Sequence, residues 1–312
     1  MDSAGTTAAG VRTTTLVTFP GGTTQGSSTV VAALPLPGGV VGLVTDTTPF
    51  HPLDHSWPDQ PGDSGIVEFD TVEFNGARHP VVDCVTGAVG PDGAFALGEQ
   101  IPARRGDPEW AWLAVHLVEM GTSGGGNGAI APKALVGRPV VLRADPSRRA
   151  ALSAAHTGCH LLALALNEAL ADRWRKDVRA DALGSPDFDA LAMDASRMDE
   201  HASTDRYRIG KSLRKKGFDP EGLADALDAI TARVNARLAE WIAADSRVHV
   251  DTPGPELTAR RRWVCALPEG TASIDCGGTH LSHLGELSSL TTTLSLSEDG
   301  TELVAVTVPK RV

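Results

Sequence analysis

The sequence predicts an α+β protein in two parts. A β-rich N-terminal domain, a small barrel-like or sandwich unit, spans residues 1–145, and over 146–312 two long helices pack on an antiparallel sheet. Three observations carry this. Up to residue 145, strand-length segments rich in Thr and Val are punctuated by Gly and Pro. Two later stretches repeat apolar residues at helical spacing, and after Arg260 the alternation returns to a period of two. Helices and strands thus occupy separate stretches of the second half, the α+β pattern. A chain of 312 residues is long enough for two cores, and 41% hydrophobic with 21% charged residues is an ordinary soluble globular composition.

In chain order, the first strands are expected over Thr13 to Phe19, Thr29 to Ala33, Val40 to Val44, Ile66 to Phe69 and Val140 to Arg143. Pro108 to Met120 reads equally as a short helix or a strand. Gly121 to Gly128 lacks the Gly-Lys-Ser/Thr ending of a phosphate loop and reads as a flexible linker. A helix is predicted from Pro146 to about Val178, capped by Asp145 or Ser147, with Leu152, Ala155, Cys159, Leu162, Leu166 and Leu170 forming its apolar stripe. Residues 180 to 218 are polar and mixed, Arg206 to Ile209 being the best strand there. Asp219-Pro220-Glu221 starts a second helix to about Ala244, with Leu223, Leu227, Ile230, Val234, Leu238 and Ile242 on one face. Trp263 to Leu267 and Ala272 to Asp275 flank a turn at Pro268-Glu269-Gly270, and Leu290 to Leu296 pairs with Leu303 to Val308.

Composition narrows the function. No basic, apolar leader opens the chain and no apolar run is long enough to span a membrane, so a cytoplasmic protein with no membrane partner is expected. The four cysteines have no framework spacing. A net charge of −11 excludes a general nucleic-acid coat protein, because sequence-independent phosphate binding needs surplus Lys and Arg. Three local basic clusters remain: Lys211, Arg214, Lys215 and Lys216; Arg260 to Arg262; and Arg173, Arg175 and Lys176. Any one of them is most simply a solvated face.

The densest chemistry lies in two short stretches, His156-Thr157-Gly158-Cys159-His160 and Cys276-Gly277-Gly278-Thr279-His280. Imidazoles at i and i+4 share one face of a helix about one turn apart, a bidentate clamp. The second stretch adds a thiolate and a third imidazole on a glycine segment whose backbone can bend and approach closely. Four such donors favour zinc, with His156, His160, Cys276 and His280 as ligands. Cys159 is turned about 100° from His160 around the helix and is read as packing. Neither HExxH nor HxxEH is present, which argues against a metalloprotease.

With its upstream segments, this pair of motifs resembles the HxxxH…CGGTH signature of the alanyl-tRNA synthetase editing domain and its free-standing AlaX relatives. Thr47 to Pro52 and Gln60 to Gly65 are similar to the two ends of that family's glycine-rich segment, and Asp145 with Arg148 and Arg149 to its lead-in to the helix. The resemblance covers roughly residues 40 to 310. It implies an editing domain over 146–312, a zinc-dependent hydrolase that removes a wrong amino acid from the acceptor end of a tRNA, and no ATP. No general base is implied; a zinc-activated water with Gln60, Asp63, Thr279 and Glu286 as pocket candidates stands in its place. Lys211, Arg214, Lys215 and Lys216 are the candidate tRNA contacts.

The sequence departs from the family where it would hold the amino acid. Leu53-Asp54-His55-Ser56-Trp57-Pro58-Asp59 replaces a glycine run and is three residues longer, and Leu284 stands where a Thr is usual. His51, His55, Trp57 and Asp59 thus become pocket candidates, suited to a β-hydroxy or unusual, fluorothreonine-like amino acid. Alternatives are an ordinary editor of seryl- or glycyl-tRNA(Ala), a hydrolase of small aminoacyl esters or amides that never meets tRNA, and a non-catalytic zinc module. The sequence leaves open whether zinc activates water or positions substrate, and what the oligomeric state is.

Overall fold

The computed structural model describes residues 10–69, 78–120 and 131–312. The expected linker at 121–128 lies outside them. The chain is an α+β protein divided into two compact units, the first formed by Met1–Arg149 with Thr252–Arg260 and the second by Ala150–Asp251 with Arg261–Val312. Sequence placed the division at 145/146 and had no signal for the return of 252–260. Backbone pairing accounts for that return: Val17 N–H donates to Pro255 O at 2.8 Å and Leu257 N–H to Thr15 O at 2.9 Å. Leu257 is buried in the first unit's core.

Among the described residues, nine strands form the first unit: β1 Leu16–Val17, β2 Gln25–Pro35, β3 Val40–Thr45, β4 Thr47–Thr48, β5 Gly65–Phe69, β6 Arg78–Val89, β7 Phe95–Leu97, β8 Ala111–Glu119 and β9 Pro139–Ala144. β1 and β4 pair in parallel. The rest pair antiparallel in the order β5-β9-β2-β3-β8-β6-β7, and β5 also pairs with β6, so the pairings run in a ring. The ambiguous 108–120 stretch is strand β8, whose Ala111 to Val118 run is almost wholly buried. β6, absent from the sequence reading, has Pro80 and bulges between Val81 and Asp83, which breaks its alternation. Phe50, Phe69, Trp112, Leu135 and Leu142 fill the core.

In the second unit α1 spans Pro146–Ala169, α2 Phe188–Ala192, α3 Lys211–Lys215 and α4 Leu223–Ala243. The strands are β10 Met193–Met198, β11 Ser203–Arg208, β12 Val248–Asp251, β13 Arg262–Leu267, β14 Gly270–Asp275, β15 Leu287–Leu296 and β16 Glu302–Arg311. They make two antiparallel sheets, β10-β11-β16-β15 and β12-β13-β14. Asp145 caps α1 by accepting from the backbone N–H groups of Ser147 and Arg148 at 2.8 and 3.1 Å, and Pro146 takes the first position, where a missing N–H costs nothing. From Leu152 to Leu170 nearly every α1 residue is buried, the pattern of an internal helix. Its approach to the large sheet needs Gly158, where a Cβ would stand 2.9 Å from Leu290 Cδ1.

Two helix ends differ from expectation for tertiary reasons. α1 stops at Ala169, not near Val178. A 3-10 turn over Ala171–Arg173 follows, and Arg175 N–H donates to Gly217 O at 2.9 Å in extended backbone. α4 begins at Leu223, because Asp219 Oδ1 accepts from Glu221 N–H at 3.0 Å and closes a turn that ends on Gly222 in the left-handed region. Asn235 on α4 pairs with both the N–H and the C=O of Thr292, at 2.7 and 2.8 Å, closing the free edge of β15.

Candidate metal centre

Cys276 follows the last residue of β14, and its own N–H donates to Arg261 O at 3.0 Å. That anchor holds the thiol at the strand exit. Gly278 N–H then donates to Cys276 Sγ at 3.4 Å, and Leu281 N–H to Thr157 Oγ1 at 3.1 Å, wrapping residues 276–281 onto α1. Neither Gly277 nor Gly278 adopts a left-handed backbone. A Cβ at Gly277 would meet nothing within 4 Å, so neither close packing nor an unusual dihedral requires a glycine there.

His156, His160, Cys276 and His280 each offer one donor atom, and the four atoms lie within 4.8 Å of one another. Sγ of Cys276 is 3.3 Å from His156 Nε2 and 3.2 Å from His280 Nε2. A tetrahedral zinc with bonds of about 2.0–2.3 Å sets donor edges of roughly 3.3–3.6 Å, close to the two Cys276 edges, so the donor types and those two edges suit such an ion. His160 Nε2 is buried without a hydrogen-bond partner among the described residues, leaving its lone pair for a cation. Burial, with His156 adding a smaller effect, pushes the His160 pKa well below its ordinary value and keeps the ring neutral, the ligating form.

The fully buried Thr157, between the clamp histidines, has a role the sequence reading missed. Its Oγ1 lies 3.3 Å from His280 Nδ1 and accepts from Leu281 N–H. The hydroxyl orients the His280 ring, and when Nδ1 carries the proton and directs it at Thr157, Nε2 is bare toward Cys276. Thr157→Val preserves shape and removes the acceptor. Zinc affinity is expected to fall about 10- to 100-fold, the usual loss for such a supporting partner, read by competition with a chromophoric chelator; an unchanged affinity would contradict this role. Ser153 Oγ donates to Thr279 Oγ1 at 2.9 Å, a second tie between α1 and the same loop. The buried Trp263 ring lies 5.1 Å from that of His160, tilted by 45°. Cys159 Sγ lies 3.4 Å from Asp205 Oδ1 on β11 and takes no part in the cluster. All four cysteines are free thiols.

The other candidates have separate surroundings. Glu286 accepts from Ser282 N–H and Oγ at 2.8 Å each, capping the turn after His280. Asp63 belongs to the first unit, where its carboxylate is taken by the Arg149 guanidinium and by His51 N–H. Gln60 is buried there too. Gly62 is required by sterics, since a Cβ would lie 1.9 Å from Cys84 O. His51 is buried edge-on to Phe19, and burial lowers its pKa to about 4. Burial also raises the Asp59 pKa. His55 stacks on Trp112 at 6.0 Å, whereas Trp57 is 44% exposed, the only large aromatic so exposed among the described residues.

The basic clusters also separate. Arg261 is buried and Arg262 pairs with Asp251 at 3.4 Å, so 260–262 is no single face. The 173–176 and 211–216 clusters meet, with Lys176 Nζ donating to Lys215 O at 3.0 Å. No helix among the described residues is long and apolar enough to cross a membrane. No family model matches the chain.

Proposed function

We propose that the chain is a zinc-dependent hydrolase of the aminoacyl ester at the 3′ end of a mischarged tRNA, acting in trans on a β-hydroxy or fluorinated β-hydroxy amino acid. The observation that carries this reading is the convergence of three imidazoles and one thiol within 4.8 Å. The HxxxH…CGGTH resemblance supplies the substrate class. When bound, zinc supplies Lewis acidity at an ester, either by acidifying a water toward a pKa of about 7 or by gripping the acyl group.

The protein's own contribution is to hold and shape. His156 and His160 come from one face of α1, and Cys276 and His280 from the wrapped loop. Thr157 orients the His280 ring. Ser153 and Thr279 place hydroxyls at the loop, and the buried Trp263 ring packs beside His160. The net charge of −11 favours a second reading, a small aminoacyl ester with no tRNA attached.

Deacylation of a panel of charged tRNAs tests the proposal. Cleavage of a tRNA carrying a β-hydroxy or halogenated residue should exceed that of seryl-tRNA(Ala) by about 10- to 200-fold, the range one small group in an apolar pocket supplies. Trp57→Ala and His55→Ala should shrink that ratio without lowering zinc content. Robust seryl-tRNA(Ala) turnover, indifferent to both substitutions, would instead identify an ordinary alanine-system editor. Competition by uncharged tRNA separates the tRNA substrate from the small ester.

A further inference from the structure

Acids outnumber bases in this chain by 39 to 28, and many cationic side chains are matched accordingly. Arg237 contacts Glu168, Glu240 and Glu269, Arg179 pairs with Asp187, and Arg206 with Glu302. On α3 and the residue that follows it four cationic side chains stand together without such a match. Lys211, Arg214, Lys215 and Lys216 are all exposed, and among the described residues none makes an ion pair. Like charges three and four residues apart on one short helix repel by a few tenths of a kcal/mol per pair. The fold gains nothing visible in return. Lys176, held against α3 through Lys215 O, adds a fifth positive charge from a separate stretch of sequence.

This surface edges a groove of about 820 Å³ whose lining includes Arg175, Lys176 and Arg214 together with Glu221, Asp225 and Glu298. Arg175 is committed to Asp219. Charge complementarity favours an anionic polymer on the Lys and Arg side chains of α3 over the carboxylates of the same groove. The position along the chain fits as well. From His160 to the end of α1 at Ala169 is nine residues, about 14 Å of helix rise, and Arg173 to Lys176 follow directly. Four stacked nucleotides span a similar length at roughly 3.4 Å each.

We infer that Lys176, Lys211, Arg214, Lys215 and Lys216 form one docking surface for the phosphodiester backbone of an RNA whose single-stranded 3′ end extends toward the metal centre. This rests on the aminoacyl-tRNA reading and adds to it where the duplex lies and which side chains hold it. Backbone contacts position the RNA without reading its sequence.

The test is binding of uncharged tRNA to the zinc-loaded protein across a salt series, for wild type and for Lys211→Gln/Arg214→Gln/Lys215→Gln/Lys216→Gln. Each lost phosphate contact lowers the slope of log affinity against log salt by about 0.7 to 0.9, so the slope should drop by roughly 3, with affinity at low salt at least about tenfold weaker. Lys215→Glu/Lys216→Glu changes the net charge by the same four units and should likewise weaken binding and flatten the slope. Zinc content and thermal midpoint report that each variant is folded. An unchanged slope and affinity in the folded quadruple variant overturns the docking surface. The underlying reading is judged separately, by chelator-sensitive cleavage of a 3′-aminoacyl-adenosine by the wild-type protein, a substrate with no duplex to dock. Absence of that cleavage would remove the reading, and the premise of this docking surface with it.

Discussion

His160→Ala combined with Cys276→Ala should reduce bound zinc from about one ion per chain to near zero and lower the thermal midpoint of the second unit. Two of four ligands are then gone, and both stretches of chain that the ion joins lose their common tie. A ligand that binds only the folded state at a thousandfold its dissociation constant stabilises by about 4 kcal/mol, which for a domain of this size corresponds to a shift of roughly 8–16 °C. Side-chain truncation contributes too, so the control is wild type stripped by chelator, which should show most of the same shift. Retained zinc in the double variant, by elemental analysis, would mean that the cluster is not the metal site.

A comparably large effect is expected in the first unit from Asp63→Ala. The Arg149–Asp63 pair is almost fully buried, the two side chains being 6% and 1% exposed. Arg149 also donates to Thr23 O at 3.1 Å and Pro49 O at 2.7 Å, so its guanidinium stays pinned when the carboxylate is removed. A buried charge stripped of its partner costs about 3–5 kcal/mol, whereas replacing both members by apolar residues of similar volume is often close to neutral. Denaturant unfolding should therefore show a large loss for Asp63→Ala and substantial recovery for Asp63→Leu with Arg149→Met. Zinc content should not change, because every ligand lies in the other unit. A loss under about 1 kcal/mol would show that the pair behaves as a surface salt bridge.

The metal cluster was legible because its signal is local. Two histidines four apart on a helix, and a cysteine and a histidine four apart on a loop, name their own geometry. Thr157 was not legible, since a threonine inside a helix declares nothing until the loop carrying His280 and Leu281 is wrapped onto it. Much of 180–218 went unread for a related reason. Along β10 and β11 the buried positions include Ser196, Ser203 and Asp205, clustered near Cys159, so polar residues stand on both faces and the usual apolar-in, polar-out alternation is masked. The end of α1 was overrun because Ala171, Asp172 and Arg173 are compatible with helix. The stop comes from Gly217 and Phe218, more than forty residues away. The 252–260 return is likewise a long-range pairing with Thr15 and Val17 that no local pattern announces.

The most direct test of the account is the rate of aminoacyl-tRNA hydrolysis as a function of zinc occupancy. Protein stripped by chelator and retitrated with zinc should cleave the charged tRNA in proportion to bound metal, reaching full rate at one ion per chain, with Thr157→Val needing more free zinc to reach the same point. Cleavage that persists in fully stripped protein, or that stays absent at full occupancy on every charged tRNA tried, would contradict the assignment of this centre as the site of ester hydrolysis.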